Sequence, residues 1–160
     1  MSTNSRMIIF KIANEEYAID INQVQSIERM QPVTAMPNTS AALIGVTNIR
    51  GKVMPLFDLR IILSALPKEN NDDTRIILVE FQGKSMGIVV DEANEVLEIS
   101  HDNIQKPSFT VESDTFIKGV ATLEKRLLIL IDIEKLITNE NVKGDMEHLQ
   151  SFINEELPSN

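Results

Sequence analysis

The chain contains no cysteine, no tryptophan, one tyrosine and only two histidines. Without cysteine there is no disulfide, no thiolate metal site and no cysteine nucleophile. That is compatible with a reducing cytoplasm. Without tryptophan, an antibody-like sandwich built around a buried indole is not expected. His101 and His148 have no second histidine or cysteine at metal-ligand spacing, so zinc is not expected. Phosphate cradles are missing, since neither G-x-x-x-x-G-K-[ST] nor G-x-G-x-x-G occurs. The nucleophile elbow G-x-S-x-G is missing as well. Long apolar runs are absent: the longest clean aliphatic stretch is Leu127 to Ile131, far short of a membrane span. No signal-peptide core follows the first residues, and Ser2 stands where myristoylation needs glycine. Basic residues are in the minority, 15 against 24 acids, for a net charge of −9. Such a surface repels phosphate backbones and argues against nucleic acid. With nearly every catalytic and cofactor fingerprint gone, a binding role is the default.

What is present is an ordinary globular balance over 160 residues, 42% hydrophobic and 24% charged. It is organised by an internal repeat. Ile8–Ile12 matches Ile77–Phe81, Tyr17–Ile19 matches Met86–Ile88, and Ile27 matches Val96, all at an offset of 69. Ile44–Ile49 then matches Lys118–Leu123, and Val53–Asp58 matches Leu127–Asp132, at an offset of 74. The difference places a five-residue insertion in the second copy, near Asn103 to Asp114. Two copies are too few for a solenoid. They suggest two similar β subdomains over about 7–66 and 75–137, joined by the polar linker Pro67–Asp73. Residues 138–160 form a polar break and a C-terminal amphipathic helix. Asp145 caps that helix, and Met146, Leu149, Phe152, Ile153 and Leu157 fall on one face.

Each copy reads as five short strands. In the first these are Met7–Ala13, Tyr17–Ile21, Val24–Arg29, Ile44–Ile49 and Val53–Phe57. In the second they are Arg75–Phe81, Lys84–Asp91, Glu95–Ile99, Phe116–Leu123 and Leu127–Ile131. Asn14-Glu15-Glu16, Arg50-Gly51-Lys52 and Gln82-Gly83 read as hairpin turns. Asp58 and Asp132 each precede an apolar stretch. Their recurrence in both copies marks them as helix N-caps rather than catalytic carboxylates. Asn38-Thr39-Ser40 likewise reads as a candidate cap for a short turn at Ala41–Leu43. Close-spaced strands with turns between them predict small barrels or sandwiches.

Two segments are binding candidates. Asn48-Ile49-Arg50-Gly51-Lys52 keeps its flanks between copies while its tip changes to Glu124-Lys125. Arg50 offers five donors suited to a partner's carboxylate, although a solvated turn arginine has the same composition. The other is Lys106–Val111, where Phe109 is a large apolar residue in a polar loop. It either plugs its own barrel or anchors a partner, and the residues alone favour the plug. The carboxylate pairs Glu15-Glu16, Asp72-Asp73 and Asp91-Glu92 are what any acidic chain supplies by chance. A hydrolase using Asp91 and Glu92 is the rival from the enzyme class. An oligonucleotide-binding barrel is the other rival, opposed by charge and by the shortage of aromatics.

Several blocks in order resemble the CheW family of chemotaxis coupling proteins. They are Glu15–Ile21, Gly45–Gly51, Pro55–Arg60, Gly87–Asp91 and Leu128–Leu136, within about 7–137. The resemblance implies an all-β fold of two SH3-like five-stranded barrels with short helices. It implies no enzymatic activity, no catalytic residues and no cofactor. It implies a cytoplasmic adaptor, recruited to chemoreceptor arrays at the inner face of the membrane. The adaptor would bridge methyl-accepting chemoreceptor tips to the regulatory domain of the histidine kinase CheA. The alternative within the family is an adaptor of a non-flagellar chemosensory array. Carried over by position, a receptor-facing groove between barrels would include Val24, Ile27, Gly45, Asn48 and Arg50. A kinase-facing surface would include Lys52, Val53 and Met54, and Phe109 would help close rings of adaptors and kinase domains. The chain departs from relatives that carry Glu where it has Ser26, with an acid displaced to Glu28. Ser108 likewise replaces an acid of some relatives.

Overall fold

The computed structural model describes residues 4–36, 41–64, 69–106, 116–138 and Gly144. Among them the strands are β1 (Asn4–Ile12), β2 (Glu15–Asp20), β3 (Val24–Arg29), β4 (Leu43–Ile49) and β5 (Lys52–Asp58), followed by helix α1 (Leu59–Ser64). Then come β6 (Arg75–Phe81), β7 (Lys84–Val90), β8 (Glu92–Ser100), β9 (Ile104–Gln105), β10 (Ile117–Leu123), β11 (Arg126–Ile131) and helix α2 (Ile133–Thr138). Phe109, the Asn38–Ser40 cap and the apolar stripe after Asp145 lie outside the described residues.

The first hairpin turns one residue earlier than its sequence suggests. Ala13 and Asn14 take the positive φ angles, 50° and 69°, and Glu15 and Glu16 already belong to β2. A two-residue turn of this hand follows the right-handed strand twist, which a longer Asn-Glu-Glu loop does not. Gln82-Gly83 and Arg50-Gly51 turn in the same way, with φ of 52° and 77°, and 54° and 85°. Asp58 caps α1 by accepting the Arg60 amide at 3.0 Å, and Asp132 accepts the Lys135 amide at 3.3 Å. Both expected caps therefore form.

The sheets do not follow the sequence halves. One sheet runs β3-β6-β7-β5-β4, and the other runs β8-β1-β2-β11-β10-β9. The first repeat keeps three of its strands (β3, β4 and β5), the second keeps four (β8 to β11), and each lends its first hairpin to the other. Hairpin β1–β2 lies between β8 and β11, where β6–β7 lies between β3 and β5. The register obeys the repeat throughout. Leu56 pairs with Gly87 across the parallel β5–β7 ladder, and Leu130 pairs with Ala18 across β11–β2. The ladder irregularity between Leu43 and Gly45 recurs between Ile117 and Gly119. The ranges 7–66 and 75–137 are thus units of repetition, each spread over both sheets.

Both sheets curl shut. After β3 the chain returns so that Thr34 and Val46 exchange two backbone hydrogen bonds of 2.9 Å. In the other sheet β9 closes onto β10, with Gln105 opposite Val120. The result is two SH3-like barrels, barrel 1 from β3–β7 and barrel 2 from β1, β2 and β8–β11. Ile49, Met54, Leu56, Ile76, Leu78 and Val89 fill barrel 1. Met7, Ile9, Ala18, Ile99, Leu128 and Leu130 fill much of barrel 2. The largest cluster draws on both sheets and both helices. It includes Phe10, Ile19, Phe57, Leu59, Ile77, Ile88, Ile131 and Leu136, and it cements the barrels together.

Candidate functional site: an adaptor surface on barrel 1

Strand β3 is an edge strand, and the two sides of it differ. Ser26 and Glu28 stand opposite Leu78 and Ile76, which fill barrel 1. Directly opposed residues share a face, so these two point into the barrel end. Val24 and Ile27 stand opposite Val79 and Ile77, on the side of the core between the barrels. Val24 is half-buried against that core, and Ile27 is 36% exposed. The bulge between Val24 and Ser26 puts both on one side despite their odd spacing. Val24 and Ile27 therefore form an apolar edge beside the inter-barrel seam.

The remaining receptor candidates sit on β4 and its turn, and they divide by role. Gly45 is buried with φ +148°, and a Cβ on it would lie 2.1 Å from the Thr34 carbonyl oxygen. Barrel closure by itself therefore requires glycine at this position. Asn48 is exposed, and its Oδ1 accepts the Gly51 amide at 2.9 Å, which shapes the turn. Arg50 has 75% of its side chain exposed, with Nη2 3.1 Å from Glu28 Oε2. That oxygen is inaccessible to solvent and lacks a well-aligned hydrogen bond, so the contact is an ion pair held by charge and proximity. The displaced acid at Glu28 thus tethers Arg50 to β3, while Ser26 faces the barrel end.

Among the kinase candidates, Lys52 is exposed and Val53 is 57% exposed. Val53 pairs directly with Asn48, so the two candidate sets meet on one outward face. Met54 is only 4% exposed and packs inside barrel 1. It supports that face from beneath.

Val33, Val96 and Leu127 are exposed large apolar residues that were not singled out from sequence. The repeat carried the signal for two of them. Val96 and Leu127 occupy in the second copy the places of Ile27 and Val53.

The carboxylates of the enzyme rival are engaged structurally. Asp91 Oδ2 accepts the Ala13 amide at 2.8 Å, and its Oδ1 lies 3.4 Å from Arg60 Nη1. Glu92 pairs with Lys11 at 3.8 Å. Arg60 is buried and grips Asp58 with two bonds of 2.9 Å, while Asn70 Oδ1 accepts from Nη2 at 2.8 Å. Burial alone would lower the Arg60 pKa, but Asp58 and then Asp91 raise it on balance. The guanidinium stays charged, and the network fastens the β1–β2 turn to barrel 1. His101 is exposed and shares a 2.7 Å hydrogen bond with Ser5 Oγ. No group of three or more metal-ligating side chains gathers among the described residues.

Two fused barrels with outward apolar and charged edges define a protein-docking scaffold. A CheW-like domain model matches residues 6–141. The chain is 37% identical over 143 residues to Chemotaxis protein CheW of Klebsiella aerogenes, covering 88% of this chain and 86% of that protein. It is 36% identical over 143 residues to Chemotaxis protein CheW of Bacillus subtilis, covering 88% and 92%. The crystal structure of scaffolding protein TtCheW from Thermoanaerobacter tengcongensis superposes with a TM-score of 0.74 at 30% identity, covering 81% of this chain and 89% of that one. The chain belongs to the CheW-like family. It is a chemotaxis scaffold acting through protein interaction, and not an enzyme.

Proposed function

We propose that the chain couples methyl-accepting chemoreceptor tips to the regulatory domain of the histidine kinase CheA, in arrays at the inner face of the membrane. The receptor tip docks at the seam beside β3, against Val24 and Ile27, with Asn48 and Arg50 at its rim. The kinase domain docks on the outward face around Lys52 and Val53, supported by Met54, and Phe109 contributes to ring closure. Such a joint transmits a signal when the receptor's two states contact the adaptor differently.

The observation that carries this reading is Arg50. Its guanidinium is held at the edge of β3 by Glu28, yet three-quarters of the side chain remains free for a partner's carboxylate. Arg50→Ala is expected to weaken capture of a receptor cytoplasmic fragment, while the unfolding transition stays in place. Unchanged capture in reciprocal pull-downs removes Arg50 from the receptor surface. Phe109→Ser is expected to break array assembly and to leave one-to-one kinase binding intact.

A further inference from the structure

The end of barrel 2 differs chemically from the same end of barrel 1. A cavity of about 440 Å³ opens there. That volume lies in the range of small-ligand sites, roughly 300–1,000 Å³. Its floor is apolar, formed by Met7, Ile104 and Leu130. Its polar lining is Ser5, His101, Lys106 and Lys118, with Asp20 as the one acid among the described residues. The hydrogen bond between Ser5 Oγ and His101 Nε2 fixes the imidazole in that wall. Among the described residues neither lysine has an ion-pair partner, although the chain carries 24 acids.

The repeat shows that the fold does not require these charges. At offsets of 69 and 74, Asp20 and Lys118 correspond to Val89 and Ile44. Val89 is fully buried inside barrel 1, and Ile44 packs against the same cluster. Barrel 2 therefore replaces a core pair with charged groups at the edge of a cavity. Two ammonium groups and a hydrogen-bonded Ser–His pair offer several donors to one anion. The apolar floor accepts the body attached to it. Asp20 accepts an N–H or O–H from that body and repels a second anionic group.

The geometry points to this cavity as a binding site for a small phosphomonoester with an apolar or aromatic body, apart from the docking surfaces of barrel 1. The test is an amide NMR titration of the full chain with phenyl phosphate, adenosine 5′-monophosphate and inorganic phosphate. Saturable shifts are expected at Ser5, His101 and Lys118 with at least one ester, at lower concentration than with phosphate alone. Both lysines are exposed, so the Lys106→Ala/Lys118→Ala variant is expected to fold, as its unfolding midpoint will show. It should bind the ester about tenfold more weakly. The inference is overturned if neither ester gives saturable shifts at millimolar concentration. It is equally overturned if the double variant binds as tightly as the parent, or if inorganic phosphate binds as well as both esters.

Discussion

At the scale of single residues, backbone demands and side-chain chemistry separate cleanly. Gly45 and Gly51 both have positive φ, but only Gly45 has a neighbour where a Cβ would go. Gly51→Ala should cost only the strain of the turn, about 1–2 kcal/mol. Gly45→Ala must also displace the Thr34 carbonyl, so a loss on the order of 2–4 kcal/mol is expected. Urea unfolding of the pair checks this, and equal losses would show that strain rather than the clash decides. Arg126 is a second case. It lies 2.6 Å from Glu95 Oε1, and its Nε donates to Glu16 at 3.1 Å. The hydrogen bond from Arg126 holds Glu95 below its ordinary value of 4.5. The native value being depressed, the stabilisation is full above the ordinary carboxylate range. It disappears as pH falls through the lowered native value. In Arg126→Ala an NMR titration should return Glu95 toward 4.5, and the acid side of the stability profile should flatten.

At the scale of elements, the Arg60 network locks β1–β2 to barrel 1. Arg60→Met leaves Asp58 and Asp91 without their shared cation, and Asp58 is almost fully buried. Breaking a buried pair from one side costs about 3–5 kcal/mol. Chemical denaturation should show that loss, which an exposed pair such as Lys11–Glu92 would not produce on alanine replacement. The elements themselves were legible in the sequence. All ten expected strands are present, because alternation and turn residues act over a few positions. Both aspartate caps were legible for the same local reason. The hairpin exchange was not. At an offset of 69, β1–β2 and β6–β7 have the same hydrophobic pattern, so periodicity fits either hairpin into either barrel. At the site, Asn48 and Arg50 were legible as residues of a variable turn, while Val53 entered only through the family resemblance. The interior position of Met54 and the backbone role of Gly45 depend on contacts with β6, β7 and Thr34, which local pattern cannot supply.

At the scale of the whole molecule, the question is why each half does not simply keep its own hairpin. Two side chains decide it. In barrel 1, β7 brings Gly87 against Leu56 and Ile76, where an added Cβ would sit 2.7 and 2.8 Å from their methyl carbons. The residue that β2 would place there is Ala18. The next inward position holds Val89, fully buried, and β2 would insert Asp20. Overpacking costs about 1–3 kcal/mol, and an unpaired buried carboxylate costs more. In barrel 2 the same two residues fit: Ala18 is buried among Ile9 and Leu130, and Asp20 reaches the open end. The exchanged pairing is therefore selected by steric and electrostatic penalties against the alternative. A fragment of residues 1–66 is expected to be unstructured alone, because its own hairpin does not fit barrel 1, and its complement is residues 67–160. Mixed together they should regain the β-sheet circular dichroism signal at one-to-one stoichiometry. Ala18→Gly with Asp20→Val in fragment 1–66 should then let β1–β2 occupy barrel 1 in its own half, and that fragment should gain sheet structure without its complement. An unaltered 1–66 that folds alone would place the selection elsewhere than at these two positions.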